Sequence, residues 1–450
     1  MNDTIAAIST ALGIGAISII RVSGKEAIAI VSKIWDGKDL SKQPSHTINY
    51  GKIVDNEEII DEVLLSIMLA PKTFTTEDVI EINSHGGIAT TNRILELLLV
   101  NGCRLAEPGE FTKRAFLNGR IDLIEAEGIM DLISAKTDKS RALALNQMSG
   151  NVSTMINELR KKIVEVVANI EVNIDYPEYK DIEVMTIEQV SNSVEYIERE
   201  IKKILSRAET GTLIKDGIKT VIVGKPNVGK SSILNKLLEE EKAIVTDIAG
   251  TTRDIVEGDI SIGGIILHMI DTAGIRETND LVESIGVKKS LDLIESAELV
   301  LFVLNNNEEI IDEEIEILNK IGDKPAIIIV NKNDLPTNLN ELKTDKPIIY
   351  MSTINNNGVD ELRNKIKELF NLEQLERDDY TYLSSARSIS LLKLANTSLN
   401  EVKKGIEQKT PIDMIEIDLK NVWSLLGEIT GETYSEELID QLFSQFCLGK

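Results

Sequence analysis

The segment GKPNVGKS, from Gly224 to Ser231, has the residue types that surround the phosphate groups of a nucleotide. It follows the apolar run KTVIV and precedes the helical run SILNKLLEE, so it is predicted to be a loop between a buried strand and a helix. Backbone amides of such a loop bind phosphate, Lys230 reaches the β- and γ-phosphates, and the Ser231 hydroxyl binds magnesium. The segment therefore predicts a phosphate-binding loop.

Two later segments, AGTTRD and DTAG, supply the polar groups that a nucleotide hydrolase places around magnesium and the γ-phosphate. Thr251 or Thr252 can contribute a second magnesium hydroxyl from a switch loop. Asp271 follows the strand-like run IILHMI and can hold the water shell of the metal, while Gly274 can meet the γ-phosphate. The order of these segments along the chain is the order that the chemistry requires.

The segment NKND, from Asn331 to Asp334, follows the apolar run AIIIV and predicts which base is bound. The Asp334 carboxylate can accept hydrogen bonds from N1–H and the exocyclic amine of guanine, a donor pair that adenine lacks. On its own the segment would also fit an ordinary turn at a strand end, but behind a phosphate-binding loop it predicts GTP. The loop that closes over the base is expected at Ser352–Thr353, which would contribute a backbone amide.

The position directly after DTAG is Ile275, where many GTPases have a glutamine that orients the attacking water. Isoleucine has no polar group for this task, so a side chain of the following segment IRETNDLVESIG must take it. The candidates are Glu277, Asp280 and Glu283. Charge on the leaving oxygen also needs a cation, and Arg253 and Arg276 are candidates for that role.

The pattern of apolar residues changes along the chain and predicts the elements that hold these segments. Residues 1–118 mix β-rich runs with helical stretches, which predicts an α+β domain. Residues 119–214 have helical periodicity, and residues 376–450 return to it. Residues 215–375 alternate apolar runs with helical stretches, as in a parallel sheet buried on both faces. The predicted fold class is multidomain α/β, with a GTPase domain inserted into a discontinuous all-α domain.

Composition and charge exclude several classes of protein. The 450 residues are 42% hydrophobic, and no apolar run approaches the ~18 residues of a membrane span. The N-terminus has the acidic Asp3 and no cleavage site of a secretory signal, so cytoplasmic residence is expected. Cys103, Cys447 and three histidines are too few for a disulfide framework or a four-ligand zinc site. The net charge of −25 opposes non-specific attraction to nucleic acid, so any RNA contact must be local or be made by a partner.

Eight segments spread over the chain resemble a known family. In the N-terminal part they are IIRVSG, FTTEDVIEINSHGG and EPGEFTKRAFLNGRIDL, and in the rest they are GKPNVGKS, TDIAGTTRD, DTAGIRE, VESIG and the terminal FCLGK. The chain resembles the MnmE (TrmE) family of tRNA modification GTPases, in the TrmE-Era-like superfamily. FCLGK discriminates best, because ribosome-assembly GTPases such as Era share the GTPase motifs.

The resemblance implies an activity, a partner and an architecture. Members of the family act with a flavin-dependent protein, MnmG or GidA, and add an aminomethyl-type group, such as carboxymethylaminomethyl, to C5 of the wobble uridine of certain tRNAs. The one-carbon unit comes from a tetrahydrofolate derivative, either 5-formyl- or 5,10-methylene-tetrahydrofolate. The implied architecture is a folate-binding N-terminal domain that forms a homodimer, together with a Ras-like P-loop GTPase domain whose sheet is mainly parallel.

The resemblance also assigns residues of this chain to sites. Folate contacts are expected at Arg21, Glu81, Arg120 and Lys450. Cys447 would place a thiol beside the folate, although a lone cysteine is more often a small buried apolar residue. Among the catalytic candidates, Glu283 is expected to act with Arg253 and Arg276.

Two metals are expected in the nucleotide site, magnesium from the motifs and potassium from the resemblance. Magnesium is expected at Ser231 and Thr252. Potassium is expected to replace an arginine finger, with Asn227, Thr246, Ile248 and Thr251 as its ligands. The expected GTP-binding residues are Asn227, Val228, Gly229, Lys230, Ser231, Ser232, Thr246, Asp247, Ile248, Ala249, Gly250, Thr251, Thr252, Asp271, Thr272, Ala273, Gly274, Asn331, Lys332, Asp334, Ser352 and Thr353.

Two other functions fit part of the sequence. One is an Era-like GTPase switch in ribosome assembly, but such proteins usually carry a basic RNA-binding module, whereas residues 377–450 are acidic and end in FCLGK. The other is a folate-binding enzyme that its GTPase domain only regulates. Folate binding without a dependence of tRNA modification on GTP hydrolysis would favour the latter.

Overall fold

The computed structural model describes residues 3–175, 187–240, 258–270, 292–355, 357–372 and 382–449. The chain divides into two compact units, each built from separate stretches of sequence. Unit 1 contains residues 1–130, 153–194 and 397–450, and unit 2 contains residues 131–152 and 195–396. The four domains expected from the sequence divide the chain more finely, and their boundaries stay a prediction.

Unit 1 contains a seven-stranded sheet. Its strands are β1 (Ile5–Ile8), β2 (Gly15–Ser23), β3 (Trp35–Asp36), β4 (Thr47–Asp55), β5 (Glu58–Met68), β6 (Val79–Gly86) and β7 (Arg104–Leu105). Their order across the sheet is β3-β4-β5-β6-β2-β1-β7, and all neighbours are antiparallel except β1 and β7. The register places Arg21 of β2 directly opposite Glu81 of β6.

Three short helices accompany this sheet. They are α1 (Ala27–Ser32), α2 (Ile88–Val100) and α3 (Glu110–Leu117), and a single 3-10 turn covers Leu40–Lys42. Helix α2 packs against β1, β2, β5 and β6, because Ile94, Leu97 and Leu98 recur on one of its faces and are buried there. The α+β character predicted for the N-terminal part is thereby confirmed.

Four helices follow along the chain. They are α4 (Leu123–Ser134), α5 (Asp138–Met148), α6 (Asn151–Asp175) and α7 (Ile187–Asp216). The predicted apolar face of α6 is buried along its length, at Leu159, Ile163, Val166, Val167 and Ile170. A helix in water buries little of its own surface, so this stripe must be covered by neighbouring helices.

Unit 2 contains a six-stranded sheet. Its strands are β8 (Ile218–Val223), β9 (Gly258–Ile262), β10 (Ile265–Met269), β11 (Leu299–Asn305), β12 (Ala326–Asn331) and β13 (Ile348–Tyr350). The order is β13-β12-β11-β8-β10-β9, with every neighbouring pair parallel except β10 and β9. Every residue of β11 and of β12 is buried. The apolar runs predicted this burial, which is expected for a parallel sheet covered on both faces.

Alternate residues of these strands enter two separate cores. Leu301 and Ile327 belong to one core, whereas their neighbours Phe302 and Ile328 belong to the other, because successive side chains of a strand point to opposite faces. In the described residues, helices α8 (Lys230–Glu240) and α9 (Asp312–Ile321) lie between strands along the chain, and α10 (Val359–Leu369) follows β13. The prediction of a mainly parallel sheet within an α/β fold is confirmed.

The chain ends in helices α11 (Ala386–Glu407), α12 (Ile412–Thr430) and α13 (Glu436–Ser444). Phe443 of α13 and the following Phe446 join Phe116 of α3 in one buried cluster. The C-terminal segment is therefore anchored to the N-terminal part of unit 1. None of the helices in the described residues is both long enough and apolar enough to cross a membrane.

Candidate functional site

The predicted phosphate-binding loop lies between the end of β8 and the start of α8, at the carboxyl edge of the parallel strands. Two of its glycines have backbone angles that L-residues rarely adopt, with φ of 149° at Gly224 and 102° at Gly229. A Cβ atom at Gly224 would lie 2.3 Å from the carbonyl oxygen of Val303, and one at Gly229 would lie 2.1 Å from Nδ2 of Asn331. These angles favour glycine at both positions, and the Val303 carbonyl of the neighbouring β11 also leaves no room for a Cβ atom at Gly224.

Lys230 is the first residue of α8 and folds back over the loop. Its Nζ atom donates to the carbonyl oxygens of Gly224 and Lys225 over 2.7 and 2.6 Å. Burial lowers the pKa of this ammonium, and in the described part of the chain no carboxylate pairs with it. The arrangement holds a positive charge, together with the amides of a helix N-terminus, where an anionic ligand would bind.

Asn331 connects the NKND segment to the phosphate-binding loop. Its Nδ2 atom donates to the carbonyl oxygen of Val228 over 2.8 Å, and the side chain is buried, with 1% of its surface exposed. Within the described residues its Oδ1 atom is buried without a hydrogen-bond partner. Two motifs distant in sequence thus share one site.

Asp334 and Ser352 meet at the same edge of the sheet. The Ser352 hydroxyl donates to Oδ1 of Asp334 over 2.5 Å, and Asp334 is exposed while Ser352 is buried. The backbone of Ser352 exchanges two hydrogen bonds of 3.1 Å with Asn357, and the Asn333 amide donates to the carbonyl oxygen of Met351 over 3.1 Å. The carboxylate is therefore fixed at the surface, and Thr353 follows directly.

Two non-glycine residues of the site have left-handed backbone conformations. Asn227 has φ of 61° and Lys332 has φ of 62°. Asparagine tolerates this conformation better than most residues, whereas lysine must be held in it by its surroundings. Asn227 is exposed, so its side-chain amide lies at the surface of the phosphate-binding loop.

Sequence reasoning missed Asn306, which supports the NKND segment. Its amide donates to the carbonyl oxygen of Asn331 over 2.9 Å, and its Nδ2 donates to the carbonyl oxygen of Leu335 over 3.1 Å and to Oγ1 of Thr337 over 3.2 Å. The signal was a run of three asparagines at the end of β11, the strand between β8 and β12. Ligands commonly bind at the carboxyl edge of a parallel sheet, so polar residues there are candidates for the binding site.

A second cluster of predicted residues lies in unit 1. Arg21 donates from Nε and Nη2 to Oε1 of Glu81 over 2.9 and 2.7 Å, and both side chains are partly buried. The guanidinium also lies 5.6 Å from the ring centre of Phe111. Arg21 and Glu81, which were predicted for the same ligand, are thus direct neighbours.

The C-terminal segment reaches this pair. The carbonyl oxygen of Gly449 accepts from Oγ of Ser9 over 3.1 Å and lies 3.5 Å from Nη1 of Arg21. The carbonyl oxygen of Cys447 accepts from the Gly109 amide over 3.2 Å, and the Cys447 residue is exposed. Cys447 is therefore not the small buried residue that a lone cysteine commonly is.

Arg120 lies beyond the same aromatic side chains. Its guanidinium is 5.0 Å from the ring centre of Phe74, which packs against the cluster that contains Phe111. Arg21 and Arg120 therefore border one aromatic cluster, although no direct contact joins the two described arginines.

Many of the predicted residues lie outside the described residues. They are Thr246, Asp247, Ile248, Ala249, Gly250, Thr251, Thr252, Arg253, Asp271, Thr272, Ala273, Gly274, Ile275, Arg276, Glu277, Asp280, Glu283 and Lys450. The roles expected for them stay predictions.

Two family models match most of the chain, and curated relatives match its whole length. The model described as "GTP-binding protein TrmE N-terminus" matches residues 4–120, and the model described as "MnmE helical domain" matches residues 123–447. A protein of Bacillus cytotoxicus named tRNA modification GTPase MnmE is 53% identical over 455 positions, which cover 100% of this chain and 99% of the relative. A protein of the same name from Ligilactobacillus salivarius is 54% identical over 457 positions, with coverage of 100% and 98%.

Solved structures match a smaller part of the chain. A structure of Era in complex with MgGDPNP and nucleotides of 16S ribosomal RNA shares 29% sequence identity, covers 34% of this chain and 56% of that chain, and has a TM-score of 0.25.

Proposed function

The chain belongs to the MnmE (TrmE) family, and on that premise we propose that it hydrolyses GTP during the modification of tRNA in the cytoplasm. The modification adds an aminomethyl-type group, such as carboxymethylaminomethyl, to C5 of the wobble uridine of certain tRNAs. A flavin-dependent partner of the MnmG or GidA type takes part, and a tetrahydrofolate derivative supplies the one-carbon unit.

The hydrogen bond between Asn331 and the carbonyl oxygen of Val228 carries the GTPase part of this proposal. A nucleotide is bound tightly when its phosphates and its base are held at once, and this bond fixes the distance between the two binding segments. Asp334 is held by Ser352, and its carboxylate would accept from the two donors of guanine. Adenine would place an acceptor and no amine there, so GTP is preferred over ATP.

Hydrolysis depends on charge and on the position of one water molecule. Lys230 holds the β- and γ-phosphates, and Glu283 orients the attacking water, because Ile275 has no polar group for that role. Arg253 and Arg276 are further candidates for offsetting charge on the leaving oxygen. Groups that act in the transition state raise the rate of hydrolysis more than the affinity for GTP.

The described residues offer oxygen donors that suit magnesium and potassium, the two ions implied by the family. Ser231 lies in the first turn of α8, beside Lys230, where its hydroxyl with that of Thr252 would hold magnesium. The exposed amide of Asn227 would hold potassium, together with Thr246, Ile248 and Thr251. Potassium would supply positive charge near the β- and γ-phosphates, which is the role that an arginine has in other GTPases.

The folate part of the proposal is supported by the cluster around Arg21. Glu81 offers acceptor oxygens and Arg21 offers donors, a combination that suits the polar edges of a heterocycle. Gly449 lies at the same point, and the exposed Cys447 precedes it, which supports a role for Cys447 beside the folate and its one-carbon group; Lys450 stays an expected contact.

The homodimer is supported by an exposed apolar strip on β4 and β5. Ile48 and Tyr50 of β4 are 68% and 66% exposed, and Leu64, which is paired with Tyr50, is 47% exposed. Contiguous apolar surface of this kind marks protein–protein interfaces. We assign the contact between the two copies to this strip.

Mass analysis of wobble uridines tests the proposed function. Cells that lack the protein are expected to have uridines without the C5 group, and the unmodified gene is expected to restore it. A gene encoding Lys230→Ala serves as the matched variant that cannot hold the phosphates. Intact modification in the deletion strain together with a ribosome defect would overturn the proposal in favour of an Era-like switch.

A further inference from the structure

A groove of about 590 Å³ lies in unit 1 beside the folate-binding candidates. Its lining includes the side chains of His46, Lys72, Thr76 and Asn118, and it also includes Arg120. Volumes of this size are typical of sites for small molecules. The groove thus shares one residue with the expected folate contacts and extends beyond them.

The charge of the groove is opposite to that of the chain. The sequence has 74 acidic and 49 basic residues, yet the residues that line the groove include no aspartate or glutamate. Lys72 and Arg120 are exposed, and no ion pair to either is found among the described residues. Burial raises the pKa of Glu125, and the nearby charge of Arg120 opposes that rise. An anionic ligand would therefore meet two cations, with no aspartate or glutamate in the groove lining.

Glu77 and Asp78, the two carboxylates that follow Thr76 in the sequence, are bonded elsewhere. Both oxygens of Glu77 lie near Nη1 of Arg114, at 3.1 and 3.2 Å, and Oε2 also accepts from Ser23 over 2.8 Å. Oδ1 of Asp78 accepts from the Ala70 amide over 2.9 Å. These bonds hold negative charge away from the groove.

The walls of the groove are fixed before any ligand arrives. Nδ2 of Asn118 donates to the carbonyl oxygen of Thr75 over 2.6 Å, which joins the end of α3 to the loop that carries Lys72. The Arg120 amide donates to the carbonyl oxygen of Ala115 over 2.9 Å, across Gly119 with φ of 71°, as in a Schellman cap. A preformed site loses less conformational entropy when it binds.

We propose that this groove binds the oligo-γ-glutamate tail of a polyglutamylated folate. The inference rests on the proposed folate function, because Arg120 connects the groove through Phe74 to the apolar cluster that contains Phe111, and Arg21 lies against the Phe111 ring. The tail is a chain of carboxylates joined by amides. Lys72 and Arg120 pair with the carboxylates, and Thr76 and Asn118 provide a hydroxyl and an amide for the amide groups.

Calorimetry on the full-length protein can compare 5-formyltetrahydrofolate with one glutamate and with five. The pentaglutamate is expected to bind about tenfold more tightly, the value of one or two charge-assisted contacts. Lys72→Ala is expected to reduce this gain to about threefold or less while affinity for the monoglutamate stays within about twofold. Raising the salt concentration is expected to reduce the gain as well, because the groove is open to solvent.

Lys38→Ala is the matched control, since Lys38 is an exposed lysine of the same unit outside the groove. Its gain from the longer tail is expected to equal that of the unmodified protein. If the monoglutamate itself does not bind, the proposed folate function is wrong. If the monoglutamate binds but five glutamates bind no more tightly, or if Lys72→Ala keeps the whole gain, the groove does not hold the tail.

Discussion

The side-chain amide of Asn331 donates to the carbonyl oxygen of Val228 over 2.8 Å, although the two residues are 103 positions apart. The amide is buried at the carboxyl edge of the sheet, where the loops that follow β8 and β12 both begin. Asn331 belongs to the predicted base-binding motif and thus also fixes the phosphate-binding loop. Its substitution should disturb both halves of the nucleotide site.

Asn331→Ala is expected to weaken GTP binding about tenfold or more. The change removes a donor and leaves the Val228 carbonyl buried and unpaired, which costs about 1–3 kcal/mol. Titration with a fluorescent GTP analogue measures the affinity. Asn333→Ala changes an exposed asparagine two positions away and is expected to bind GTP almost normally. Equal affinity in the two variants would contradict this role of Asn331.

Asp334→Asn is expected to lose its preference for GTP and to gain binding of xanthosine triphosphate. The new amide presents a donor where guanine also has a donor, whereas xanthine has a carbonyl there. Competition between the two nucleotides measures the preference. Ser352→Ala removes the bond that holds Asp334 and should lower GTP affinity without changing the preferred base. An unchanged preference in Asp334→Asn would show that the base lies elsewhere.

Hydrolysis is expected to be markedly faster in potassium than in sodium at equal ionic strength. A loop that supplies oxygen ligands favours the larger ion, and the exposed Asn227 amide lies at the surface of the phosphate-binding loop. Steady-state phosphate release measures the rate. Asn227→Ala should abolish the difference between the salts. Equal rates in both salts for the unmodified protein would rule out a potassium site.

Arg21→Ala and Glu81→Ala are each expected to weaken 5-formyltetrahydrofolate binding by at least ~1.5 kcal/mol, the value of a charge-assisted contact. Each change also leaves the other member of the pair without its partner. Calorimetry measures the affinity. Arg93→Ala is the matched control, because Arg93 pairs with Asp55 and Glu96 elsewhere in unit 1. Unaltered binding in both site variants would remove the folate assignment.

A thiol reagent at pH 8 is expected to modify one cysteine of the folded protein quickly and the other slowly. Burial raises the pKa of Cys103 to about 12, so its thiol stays protonated and inaccessible at pH 8, whereas Cys447 is exposed. Absorbance of the released thiolate follows the reaction. Cys447→Ser should remove the fast phase and Cys103→Ser should keep it. A fast phase that persists in Cys447→Ser would show that the accessible thiol is not that of Cys447.

The sequence by itself determined the fold class and the identity of the chemistry. Apolar runs such as AIIIV require burial on both faces, so the parallel sheet around β12 followed from composition and spacing. The phosphate-binding loop followed from Gly224 and Gly229, because that geometry admits few other residues. Burial patterns and glycine requirements depend on residues close together in sequence, so they can be predicted from the sequence alone.

Tertiary structure decided which distant residues share a site. Asn331 and Val228 meet because β8 and β12 end at the same edge of one sheet, with β11 and its asparagine Asn306 between them. The approach of Gly449 to Arg21 likewise depends on the packing of Phe443 and Phe446 against the N-terminal part of the chain. The physical reason is that strand order and the docking of a chain end are set by the total area buried on folding, a sum over long-range contacts that no local pattern contains.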